Sequence, residues 1–350
     1  MADESSTTSH LSVAMTTTGI TEITGGTIMT SSSSSRGVEF YFQCAVLLIG
    51  VVGTAANALI LYALVASKQY KKHLLIVNQN AFDVFGSFFL IITYSLKLCN
   101  IYLTGSIGYW LCTLILSESL WSCGIVGSIF NLAIITIERY LKVVYPIWSK
   151  NKLRKWKAYP AMAFAWIGSI IYNAALVFPT TAVTDGVCYA YTIWKNETAR
   201  IIYVISYFVF IYVIILFIFI FCYWRILIVI RRQASVMASH SSAVSSTAQT
   251  QSNKIQSNVI KTMISVSALY AILWLPTNVC VLLLNLNPNP TVPGSSYYAS
   301  VFIAFLYICI NPFIYAIKFE PVKETLLRMI PCKKTSGQAT DAGPAVHTGT

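Results

Sequence analysis

Asp83, Glu118 and Glu138 are acids placed inside long apolar stretches of this chain. A carboxylate in hydrocarbon needs a cation, a proton or several hydrogen-bond donors. Glu138 is followed directly by Arg139 and Tyr140, at the end of an apolar run that begins near Trp110. The basic stretch Lys150-Asn-Lys-Leu-Arg-Lys155 comes soon after. An acid–arginine pair at such a boundary reads as an ionic catch that can be switched. Asp83 sits mid-run with Asn78 and Asn80 nearby, and Asn57, Ser128 and Asn311 lie at comparable depth in other runs. Their oxygens suit a small hard cation such as Na+; the alternative is a hydrogen-bonded polar cluster that holds helices together. Glu118 lies three residues before Trp121, on one helical face. It either recognises a cationic group on a ligand or pairs with Lys97. No Gly-rich phosphate loop, metal-spaced His/Cys set or nucleophile triad occurs, and the four histidines are scattered. The chain is therefore read as a non-enzyme with no cofactor and no metal other than sodium.

The elements that must position these residues follow from composition. Hydrophobic residues make up 56% of the 350 and charged residues 10%, with a mean hydropathy of +0.66. Soluble domains carry about 25% charged residues. Apolar runs long enough to span a bilayer fall near 38–66, 74–98, 110–137, 158–179, 200–224, 258–285 and 297–317. All of the 24 basic residues except Arg36, Lys97, Lys195 and Arg200 fall after odd-numbered spans, on one side. The positive-inside rule then puts the N-terminus outside and the C-terminus in the cytoplasm. The net charge of +12 is a signal of topology and of contact with anionic lipid, and nothing asks for nucleic acid. The fold class is an all-α membrane protein, a seven-transmembrane helix bundle with a short amphipathic interfacial helix after span seven.

Residues 1–37 are rich in Ser and Thr and are expected to be disordered outside the cell. The seven-span body covers 38–318, and the inner loop near 231–257 reads as a flexible linker. Residues 319–331 place Phe319, Val322, Leu326, Leu327 and Ile330 on one face, as an interfacial helix does. Residues 332–350 form a disordered cytoplasmic tail, and Cys332 at its start is a palmitoylation candidate. Asn196-Glu-Thr198 is a glycosylation sequon in an outer loop made aromatic by Tyr189, Tyr191 and Trp194. Cys112 and Cys188 fall at outer ends or loops, where the compartment is oxidising. Pro276 and Pro312 interrupt backbone bonding in spans six and seven and make hinges. A transporter or channel would need a continuous polar path or a second deep charge, and only Asp83 is deep.

Together these residues resemble the rhodopsin-like (class A) G-protein-coupled receptors over about 38–332. The parts are Asn57, Asp83, Cys112, Glu138-Arg139-Tyr140, Trp166, Cys188, Tyr223, Trp274-x-Pro276 and Asn311-Pro312-x-x-Tyr315. The resemblance implies that Glu138 holds Arg139 at rest and releases it to a heterotrimeric G protein when span six swings outward. It implies that Tyr223 and Tyr315 support the open state, and that Asp83, Ser128 and Asn311 hold an allosteric Na+. Trp274 would lie under the ligand, and Cys112–Cys188 would tie the outer loop to span three. Arrestin and receptor kinases would be further partners, beside the lipid bilayer, in the plasma membrane.

The chain departs from the family in several places. Gln256 stands where some members carry an acid that also clasps Arg139, so basal activity is expected. The usual span-five proline is Ile215 and the usual span-six Phe is Tyr270, which alters the transmission cluster with Ile129 and Pro276. Counting from Cys112 and from Arg139 disagrees by two residues, which points to an insertion or bulge in the outer half of span three. The position that is Asp in amine receptors is then Ser119 or Trp121, neither acidic. Phe305 stands where opsins carry the retinal lysine. The expected ligand is an extracellular peptide or a small organic molecule, contacted by Glu118, Trp121 and Trp274.

Overall fold

In a bilayer the backbone cannot hydrogen-bond to solvent, so an apolar chain satisfies its own peptide groups by forming helices. The computed structural model describes residues 33–71, 73–153, 155–239, 247–286, 294–318 and 320–329. Among them, seven helical stretches are long and apolar enough to cross a membrane. They are Gly37–Ala66, Leu74–Leu98, Gly105–Val144, Ala158–Thr180, Glu197–Gln233, Ile260–Leu286 and Gly294–Ile317, called spans one to seven below. Span three is longer at both ends than its apolar run, because its polar ends continue the helix past the hydrocarbon.

Span three is the most enclosed of the seven and span four the least. Span three packs against spans two, four and five; span one packs on two and seven, and six on seven. Two wide, π-helical turns interrupt the helices, at Cys112–Leu116 in span three and Phe208–Val213 in span five. Between spans four and five a two-stranded antiparallel hairpin pairs β1 (Ala182–Thr184) with β2 (Val187–Tyr189).

Two expectations change. The segment 231–257 is helical at both ends, since the span-five helix runs to Ser239 and the span-six helix begins at Thr247. Backbone bonding simply continues beyond the apolar segments. The first helix starts at Ser33, ahead of the expected boundary. Beyond span seven, helix Glu320–Met329 packs on spans one and seven through a buried Val322. Cys332, the first 32 residues and the tail lie outside the described residues.

Span three approaches span two so closely that no side chain fits at Gly124. A Cβ added to Gly124 would come within 2.6 Å of Gly86 Cα and 2.8 Å of its nitrogen, both backbone atoms. Gly124→Ala therefore has to push the two helices apart. We expect a loss of about 1–3 kcal/mol of stability, read as a lowered melting temperature of the solubilised protein. An unchanged melting temperature would contradict the close contact.

Candidate functional site

At the hairpin end of the bundle a cavity of about 930 Å³ opens between the spans. Glu39, Lys97, Glu118, Trp121, Trp274 and Asn278 are among the residues that line it. The Cys112–Cys188 disulfide ties β2 to the head of span three and so holds the hairpin against the bundle. Tyr191, just after the hairpin, also lines the cavity. Burial and the Glu118 carboxylate push its phenol well above the usual range, while Ser117 hydrogen-bonds to it. Asn196 is exposed, and its side-chain oxygen caps the span-five helix by accepting from the Ala199 N–H at 2.7 Å.

Span three breaks beside this cavity. After the wide turn, Glu118 adopts a left-handed backbone with φ of 63° before helix resumes at Ser119. A non-glycine residue pays a strain cost there and needs support from its surroundings. Span two supplies it. Lys97 Nζ meets Glu118 Oε1 at 2.5 Å, the Tyr94 hydroxyl donates to the same oxygen at 3.0 Å, and Thr93 Oγ1 donates to the Ile115 carbonyl at 3.1 Å. Glu118 is thus the first residue outside the helix, not one face of it with Trp121. Its charge is balanced by Lys97, so it meets the cavity as half of an ion pair and not as a free anion. The break accounts for the two-residue disagreement in the sequence. Trp121 lines the cavity and Ser119 is buried elsewhere, so the count from Arg139 is the one that holds.

Below the cavity, Asp83 is fully buried. Ser128 Oγ donates to its Oδ1 at 2.8 Å and Asn311 Nδ2 to its Oδ2 at 3.2 Å. Ser128 is itself the end of a donor relay. Trp166 Nε1 donates to Asn78 Oδ1 at 3.0 Å, Asn78 Nδ2 to Asn131 Oδ1 at 2.9 Å, and Asn131 Nδ2 to Gln79 Oε1 at 2.8 Å. Gln79 Nε2 then donates to Ser128 Oγ. Among the described residues no cation pairs with Asp83. Asn311 Oδ1 and Asn57 Oδ1 are buried acceptors without a hydrogen-bond partner. A buried carboxyl group bonded to an amide whose own oxygen is unpartnered fits a small monovalent cation. Asp83, Ser128 and Asn311 would hold Na+, which would supply the missing positive charge.

The transmission residues Ile129, Ile215 and Tyr270 are all in the buried core. The Tyr270 ring lies 6.3 Å from Trp274 and 6.0 Å from Phe219. Tyr223 bridges spans three and six, its hydroxyl 2.9 Å from Thr136 Oγ1 and 3.0 Å from Ser267 Oγ. Tyr315 is not brought into that bridge; its hydroxyl is buried without a partner. Pro276 and Pro312 lie inside their helices as expected.

At the far end, Glu138 Oε2 meets Arg139 at 3.4 Å while its Oε1 meets Lys142 at 2.6 Å. Glu138 therefore does not act on Arg139 alone: the closer partner is Lys142, one turn along the helix. Arg139 Nε is buried with no hydrogen-bond partner. Tyr140 turns away, with Tyr145 and Phe221 rings 5.9 and 5.8 Å from its own. The side chain of Gln256 lies outside the described residues.

Residues 56–315 match the family model of the 7 transmembrane receptor (rhodopsin family). The chain belongs to this family, the class A G-protein-coupled receptors. Galanin receptor type 1 of Rattus norvegicus is 25% identical over 310 residues, 85% of this chain and 84% of that protein. Somatostatin receptor type 5 of Bos taurus is 24% identical over 313 residues, 86% and 79% of the two. The crystal structure of squid rhodopsin shares the fold, with a TM-score of 0.70 at 20% identity over 87% of this chain and 89% of that one. These relatives are receptors, not enzymes.

Gln79, Asn131, Lys142 and Tyr212 escaped the sequence reading. Lys142 was within reach of it, because an acid and a lysine four apart on a helix face each other. The Lys97–Glu118 pair gives a direct test of the break. Lys97→Met leaves a carboxylate uncompensated and should cost about 3 kcal/mol, whereas Lys97→Met with Glu118→Gln should recover most of it. Melting curves of the purified receptor decide. Equal losses in single and double variants would show that the ion pair does not support the break.

Proposed function

We propose that this receptor binds an extracellular peptide or small organic ligand in the cavity and activates a heterotrimeric G protein at the far end. The carrying observation is that Trp274 lines the cavity on the same hinged span that carries Tyr270 and Ser267. A ligand that prefers one rotation of span six shifts the population of closed and open bundles by its differential affinity. Span six then leaves Tyr223, and Arg139 becomes available to the G protein. The cavity volume is that of sites for small molecules or for the end of a peptide. The relatives named for galanin and somatostatin favour the peptide. The disulfide requires an oxidising compartment, and the basic residues cluster at the other end, so the cavity faces outward in the plasma membrane. Asn196 is exposed on that side, as a sugar acceptor must be, Cys332 stays a palmitoylation candidate by its position in the sequence, and arrestin and receptor kinases meet the open cytoplasmic face.

Arg139→Ala should reduce agonist-free nucleotide exchange on a panel of heterotrimers to that of receptor-free vesicles. Exchange that survives would overturn the assignment of Arg139. Lys142→Gln frees Glu138 to hold Arg139, so basal exchange should fall by about twofold to fivefold, the worth of an exposed ion pair. A rise would mean that Glu138 does not restrain Arg139.

Na+ at Asp83 adds interhelical contacts to the closed bundle. Adding NaCl in place of KCl should lower basal exchange in the native receptor and leave Asp83→Asn unaffected. Equal sodium sensitivity in both would remove the ion from this site.

A further inference from the structure

Spans five and six are joined by a reciprocal pair of tyrosines. The Tyr270 hydroxyl on span six donates to the Ile211 carbonyl of span five at 2.6 Å. Its neighbour in the facing span, Tyr212, donates its hydroxyl back to the Ala271 carbonyl at 2.8 Å. The two rings lie 6.1 Å apart, and both residues are buried. Each hydroxyl therefore meets the backbone beside the other ring, so the two bonds cross the same interface in opposite directions. Ile211 and Tyr212 belong to the wide turn Phe208–Val213, which sets both residues toward span six. The described residues do not include an acid on span six that clasps Arg139, and Glu138 is divided between two cations. The ionic catch at the far end is correspondingly weak.

We infer that the Tyr212–Tyr270 clasp is the device that holds span six against span five in the resting receptor. This rests on the receptor reading above. A backbone carbonyl accepts with little freedom to follow a moving helix, so outward rotation of span six stretches both bonds together. Deep in hydrocarbon no water replaces them, and the closed bundle is favoured by the two bonds jointly. Tyr223, lower in the same interface, adds a third hydroxyl through Ser267. Tyr212 and Tyr270 are positioning residues: neither lines the cavity, and Tyr270 reaches it through the Trp274 ring 6.3 Å away.

The test is removal of one oxygen at a time. Tyr270→Phe and Tyr212→Phe keep ring volume and packing. Each should raise agonist-free nucleotide exchange by about threefold, the factor matching an interhelical hydrogen bond in a bilayer. The double variant should exceed either single variant. A receptor-only measurement separates this from failure of G-protein coupling. Spin labels at Leu227 and Lys261, with the reactive native cysteines replaced by serine, report the distance between the far ends of spans five and six. Each Phe variant should shift that distribution to longer distances, whether or not any heterotrimer couples. Unchanged or shorter distances in folded Phe variants would overturn the clasp. Longer distances without exchange would retain the clasp and defeat the receptor reading.

Discussion

One buried carboxylate constrains the middle of this bundle. Asp83 is fully buried, and an ion there is costly unless its lone pairs are occupied. The molecule meets that cost with amides. Trp166, Asn78, Asn131, Gln79 and Ser128 donate in one direction, each to the next, and the last donor points at Asp83. Such a chain polarises along its length. It also fixes the mutual rotation of spans two, three and four, because each link crosses between helices. Span seven enters through Asn311 alone, by a single longer bond. The centre is thus stiff toward span four and looser toward span seven.

The same logic of compensation operates at the cavity. Span three reaches the disulfide through an irregular stretch above Ser119. The wide turn and the left-handed residue make up that stretch, and span two supplies Lys97, Tyr94 and Thr93 to stabilise the irregular backbone. The result is a cavity wall on which the Glu118 charge is already balanced by Lys97. A ligand entering there meets aromatic rings and an ion pair, and its own charge gains little from Glu118 unless it first separates Lys97.

The seven spans, the prolines inside spans six and seven and the depth of Asp83 could be read from apolar run length, residue type and a lone acid, because each is a local property of the chain. Even the break at Glu118 left a trace, as two counts along span three that would not agree. Gln79 left none. A single amide in an apolar run says nothing until Ser128 and Asn131 are known to face it. Tyr212 and Tyr270 are likewise ordinary aromatics until the relative rotation of two helices brings each hydroxyl to the other's backbone. Glu138 marks the middle case: its bond to Lys142 follows from helical spacing, but reading the acid and arginine as an isolated pair obscured it. Bonds between charged or clustered polar residues, Lys97–Glu118 and Asp83 with Ser128 and Asn311, were open to the sequence; those made by lone amides and aromatics were not.

The near contact of Gly86 and Gly124 bears on which parts of the receptor are free to move. Two helices whose backbones touch at one level pivot about that point more readily than they slide, since sliding carries larger neighbours into the gap left by the glycines. Spans two and three therefore act as a common anvil, fixed in translation by sterics and in rotation by the amide relay. Movement at the cavity end is then left to the spans that neither the glycine contact nor the relay holds. Direction of response is set by where the molecule cannot yield.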